Sequence, residues 1–119
     1  MAATRIGGVR LSTSRLSLSA YRPRPGRSGE VLPHFRHEVA TLRARGYITD
    51  RAAPICLTDR GEYLVITEWA TAISVDEAHD DEVVLDVWAR KEKVVDYIAP
   101  SDLDKSTIPF VSYDVLEDV

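Results

Sequence analysis

The chain has 119 residues, 45% of them hydrophobic and 29% charged, with a formal net charge of −4, which suits a single soluble domain with one modest core. No apolar run approaches the ~18 residues of a membrane-spanning helix, and no continuous apolar stretch near the N-terminus resembles a secretory signal, so no membrane association is expected. The single cysteine, Cys56, has no partner for an internal disulfide, which points to a reduced, cytoplasmic setting.

The net charge conceals an asymmetry. Residues 1–61 hold 11 of the 15 Lys and Arg but only four acids, whereas residues 62–119 hold four bases and 15 acids. The arginines carry no interleaved aromatic stripe and no recognised motif, so the pattern predicts halves that pack against each other rather than a nucleic-acid surface.

Residues 1–14 have no clear periodicity and read as an N-terminal extension. From Leu16 the alternation of Leu16, Leu18 and Ala20 with Ser17, Ser19 and Tyr21 predicts a first strand. Pro23, Pro25 and Gly26 stop it. A helix is expected from about Ser28, because Val31, Phe35, Val39 and Leu42 form one apolar stripe. Pro33 is tolerated in its first turn, and Gly46 closes it after Arg43 and Arg45. Tyr47 to Thr58 predicts a second strand with an irregular middle at Ala52-Ala53-Pro54.

Asp59-Arg60-Gly61-Glu62 then reads as a hairpin turn into Tyr63 to Trp69, a strand apolar on both faces and therefore expected in the sheet interior. Ser74-Val75-Asp76-Glu77 has the spacing of a capping box. It opens a helical region broken at Asp80 or Asp81, whose buried face is expected to comprise Val84, Leu85, Trp88, Val95 and Ile98. After Pro100, a polar loop at 101–106 leads to a last strand over Thr107 to Val115.

This order, β-α-β-β-α-β, predicts an α+β ferredoxin-like fold: a four-stranded antiparallel sheet with both helices on one face. The other face is too apolar to leave in water, which predicts a homodimer built through it.

From Tyr21 to about Val115 the pattern resembles the antibiotic biosynthesis monooxygenase family. The likeness rests on Pro25-Gly26, Gly46-Tyr47, Asp59-x-Gly61, the strand ending in Glu68-Trp69 and the helix carrying Ala78-His79. It implies that residues 15–119 form a dimeric α+β barrel with a cavity between sheet and helices in each subunit. It also implies a small apolar, aromatic or polyketide-like ligand, oxygenated or cyclised without metal or organic cofactor. Some relatives degrade haem with an Asn, a Trp and a His. This chain has no asparagine, although Trp69 and His79 are present, and Val83 and Val84 stand where a second histidine is often found.

Within that frame His79 is the candidate acid/base, since an imidazole titrating near neutrality can take a phenolic or α-carbonyl proton. Tyr63, Trp69, Trp88 and Tyr97 are candidates to line the cavity, with a hydroxyl or indole N–H holding an oxyanion. Glu68 is a second catalytic candidate, either orienting His79 or acting as a base. The alternatives are plain packing or capping for His79, core or interface positions for the tryptophans, and for Glu68 an ion pair with an arginine of the basic half. His34 and His37, beside Glu38, have the spacing of metal ligands but read as solvent-facing, so no metal site is expected. A non-catalytic dimeric binding or interaction module is the alternative function.

Overall fold

The computed structural model describes residues 5–10 and 12–119. The expected extension of residues 1–14 contains a small hairpin, β1 (Arg5–Ile6) and β2 (Val9–Arg10), turned by Gly7 and Gly8. Residues 1–4 and 11 of that extension lie outside the described residues.

The alternating segment forms β3 (Arg15–Pro23). A 3-10 turn over Ser28–Glu30 then leads into α1 (Val31–Ala44), with Pro33 in its first turn as the missing proline donor requires. The helix ends in a Schellman motif. Gly46 N–H donates to the Arg43 carbonyl and Tyr47 N–H to that of Leu42, both at 3.0 Å, with Gly46 at φ 79°.

The expected strand from Tyr47 breaks in its middle, as its sequence predicts. Ile48 bridges to Trp69, and regular pairing resumes only in β4 (Pro54–Leu57), where Pro54 takes the first position and spares the ladder a donor. β5 (Tyr63–Trp69) lies at the centre, paired with β3 along Tyr21↔Tyr63 to Arg15↔Trp69 and with β4 along Leu57↔Tyr63 to Ile55↔Val65.

The next region departs from expectation at three points. First, α2 (Ser74–His79) has no capping box: Ser74 is the first helical residue, and its hydroxyl bonds the Thr71 amide and hydroxyl instead. Second, α3 (Glu82–Lys91), capped by Asp81 through the Val83 amide, stops well short of Ile98. Val95–Ile98 forms a strand, β6, on the edge of β3. The three-residue spacing of Val95 and Ile98 suits a helix, but β-branched Val94 and Val95 beside an open sheet edge favour extended chain. Leu85 is consequently an exposed residue, and the inward face of α3 is Val84, Val87 and Lys91. Third, the last strand is not Thr107–Val115 but β7 (Asp114–Asp118), paired with β4. Pro109, which lacks a ladder donor, stays in the preceding loop.

The described residues form an α+β fold with a five-stranded antiparallel sheet, ordered β6-β3-β5-β4-β7, and three α-helices. The helices cover one face. Phe35 of α1 packs with Tyr21, Tyr63 and Val65, while Val39 and Leu42 meet Trp69, Ala78 and Val84. On the other face, Ala20, Cys56 and Leu64 are covered by Leu103 and Tyr113 from the loop between β6 and β7. That loop is tied down by Glu62, which accepts from the Asp104 amide at 2.9 Å and from Thr58 and Arg60. Beyond its reach, Leu16 and Leu18 remain 58% and 57% exposed.

The charge asymmetry resolves within the chain. Arg22, Arg36, Arg45 and Arg51 of the basic half pair with Glu62, Glu117, Asp81 and Glu68 of the acidic half. No helix among the described residues is long and apolar enough to cross a membrane.

Candidate functional site

A cavity of about 470 Å³ opens between the sheet and the helices, lined from the sheet by Ser19, Tyr21, Trp69 and Tyr97. The helices add Glu38 from α1, Val75 and His79 from α2, and Leu85, Trp88, Ala89 and Lys91 from α3. Its position follows from the short helices. Because α3 ends at Lys91 and the chain turns back as β6, the helical layer does not reach over the β3–β6 edge.

Four of the six residues singled out in the sequence meet here: Trp69, His79, Trp88 and Tyr97. Trp69 is fixed in orientation, since its indole N–H donates to Ser17 Oγ at 2.9 Å and Ser17 in turn bonds Thr67. Trp88 is half-buried and packs against the His79 ring, with centroids 4.7 Å apart. His79 is exposed on the last turn of α2, and its Nδ1 lies 2.8 Å from the Val75 carbonyl. A carbonyl only accepts, so Nδ1 carries the hydrogen and Nε2 is left to meet a ligand. Tyr97 reaches the cavity from a strand rather than from the expected helix.

The other two are elsewhere. Tyr63 is buried beneath α1, edge-on to Phe35 at 5.4 Å. Glu68 lies on the opposite sheet face, accepting from Thr49 Oγ1 at 2.8 Å and paired with Arg51 at 3.1 Å. The Thr49 hydroxyl is the main influence holding its carboxyl below the usual range, with the Arg51 charge adding to it. This is the ion pair with the basic half that the sequence offered as the alternative. His34 and His37 sit on α1 with Glu38 turned inward, and no group of three or more potential metal-ligating side chains gathers among the described residues.

The cavity's most polar feature was not singled out in the sequence. Lys91, only 2% exposed, donates to Glu38 Oε2 at 2.6 Å and to the Tyr21 hydroxyl at 3.1 Å. Its ammonium also lies 4.7 Å from the Tyr21 ring centroid and 5.1 Å from that of Tyr97. Burial, reinforced by the Glu38 charge, pushes the Tyr21 hydroxyl well above the usual phenol range, so it remains protonated. A signal existed: Glu38 falls on the α1 stripe between Phe35 and Val39, and Lys91 lies one turn beyond Val84 and Val87. Opposite charges on two inward faces are a pairing pattern.

Comparison with protein-family models, curated proteins and solved structures gives no match to this chain.

Chemically the site combines an aromatic wall, an imidazole at the rim and a buried Lys–Glu pair on the floor. Such a site can hold a flat apolar molecule and move a proton on or off it.

Proposed function

We propose that the protein binds a small, mainly apolar molecule, aromatic or polyketide-like, in this cavity. It transforms that molecule by oxygenation or cyclisation, with His79 as acid/base and without metal or organic cofactor, as the resemblance to the antibiotic biosynthesis monooxygenases implies. The observation that carries the reading is the meeting of Trp69, His79, Trp88 and Tyr97 around one cavity of about 470 Å³, a size within the usual range for small-molecule sites.

Two further features support it. Counted from β3, the sheet runs fourth-first-third-second with the fifth strand outside, an order compatible with a ferredoxin-like core. Leu16, Leu18 and Val115 leave the second sheet face apolar, which favours a homodimer of the barrel type.

The second reading is a non-catalytic dimeric module that binds a small molecule or a partner protein. It is favoured by the position of His79, whose ring packs on Trp88 with one nitrogen bonded to its own helix.

A thermal-shift screen against polycyclic phenols, quinones, polyketide-like acids and haem, repeated on His79→Ala, separates the two. A ligand at a hundred times its Kd raises stability by about 2.7 kcal/mol, which a melt registers clearly. Turnover of a hit that disappears in His79→Ala, with the melting temperature preserved, upholds the enzyme. Binding with unchanged chemistry in the mutant overturns the role of His79, and no shift from any class overturns the cavity as a ligand site.

A further inference from the structure

The floor of the cavity holds a charged pair whose partners are incompletely used. Glu38 spends Oε2 on Lys91, and no hydrogen bond reaches Oε1 from the described residues. No enclosed side-chain oxygen or nitrogen among them goes without a partner, so Oε1 is not sealed in, and Glu38 lines the cavity. Lys91 meets no second carboxylate among the described residues; with one N–H given to Glu38 and one to Tyr21, it keeps a third beside the Tyr21 and Tyr97 rings. The Tyr21 hydroxyl accepts from Lys91 and keeps its own proton to donate. One face of the cavity therefore presents an open carboxylate oxygen beside two donors, one of them cationic.

We infer that Glu38, Lys91 and Tyr21 form an enolising subsite for an aryl or arene-fused ketone, a substrate class that rests on reading this cavity as a ligand site. The carbonyl oxygen accepts from Lys91 Nζ and the Tyr21 hydroxyl, and the aromatic part lies toward Trp69 and Trp88. Glu38 Oε1 removes a proton from the carbon next to the carbonyl. The C–H pair becomes a C=C bond, the C=O π pair moves to oxygen, and the two donors hold the resulting enolate. Return of the proton from Glu38 to carbon completes a cycle that needs no oxidant or other reactant. The pairing with Lys91 has a purpose in this scheme, because the cation that lies 2.6 Å from Glu38 also stabilises the oxyanion formed when Glu38 takes the proton.

The test is proton NMR in D2O of 2-tetralone, 2-indanone and 1-acetonaphthone with the full chain, following both binding and loss of the signals next to the carbonyl. The wild type is expected to exchange these protons faster than buffer does. Glu38→Gln should lower the enzymatic rate by about a hundredfold, the low end of a general-base contribution. Tyr21→Phe should also lower it while binding persists. Melting curves of Glu38→Gln and of the charge-free double variant Glu38→Gln/Lys91→Met establish that the loss is not unfolding. Ketones that bind without exchange, or exchange that survives in Glu38→Gln, overturn the enolising subsite and leave the cavity reading standing. If none of the three ketones binds, the ketone class is overturned, and the thermal-shift screen decides separately whether the cavity binds anything else.

Discussion

The Lys91 ammonium donates to the Glu38 carboxylate at 2.6 Å, clasping the last turn of α3 to the inward face of α1. Both side chains are withdrawn from water, so removing one partner strands the other. Lys91→Met should destabilise the fold by about 3–5 kcal/mol, whereas the double variant Glu38→Gln/Lys91→Met should regain most of that loss. Chemical denaturation of the three proteins checks both values.

Asp81 ties the start of α3 to the end of α1, accepting from Tyr47, Arg45 and the Val83 amide. The Tyr47 hydroxyl first, then Arg45, holds its carboxyl down to about 2. A depressed acid stabilises the folded state above its unfolded value of about 3.9 and loses that contribution as pH falls through 2. Melting curves of wild type and Asp81→Asn should therefore differ most above pH 4 and converge toward pH 2.

Cys56 is buried against Ala20 and Leu64, and burial pushes its thiol above the usual range, with the Asp118 charge adding to it. Little thiolate forms at neutral pH. A thiol reagent should label the native protein slowly and the denatured protein at once; equal rates would place Cys56 at an open surface.

The loop between β6 and β7 depends on Glu62, which is 3% exposed and bonds Asp104, Thr58 and Arg60. Glu62→Ala should release it, and trypsin should then cut after Lys105 faster than in the wild type while β3 and β5 stay protected.

Leu16 and Leu18 form the apolar surface that the loop leaves uncovered, and Phe110 at the loop tip is 96% exposed. If two copies join through this surface, Leu18→Lys should shift a dimer to a monomer in size-exclusion chromatography, with little change in far-ultraviolet circular dichroism. A wild-type monomer at all concentrations would sink the dimer.

Much of this arrangement was legible in the chain. The alternation after Leu16, the stripe from Val31 to Leu42, the two-sided strand from Tyr63 and the break at Asp81 each reflect a local rule that the tertiary structure leaves intact. The errors share one cause. Val95 and Ile98 carry a helical spacing, and only the vacant edge of β3 makes them a strand, a non-local fact. Likewise the last strand starts where β4 offers a partner rather than where its own β-branched residues begin. In the site, aromatic residues and a histidine stood out by type. Glu38 and Lys91 lie 53 positions apart, and their pairing becomes visible only when α1 and α3 are brought face to face.

The interior position of β3, between β6 and β5, also bears on how the chain is made. Its partners, β5 and β6, are about 50 and 75 residues further along, several seconds later at a ribosomal rate of about 5–20 residues per second. During that delay the alternating segment from Leu16 to Tyr21 has two unsatisfied edges and nothing to pair with. Substitutions that raise the polarity of Leu16 or Leu18 should therefore improve soluble yield during synthesis, even where they leave the finished molecule no more stable.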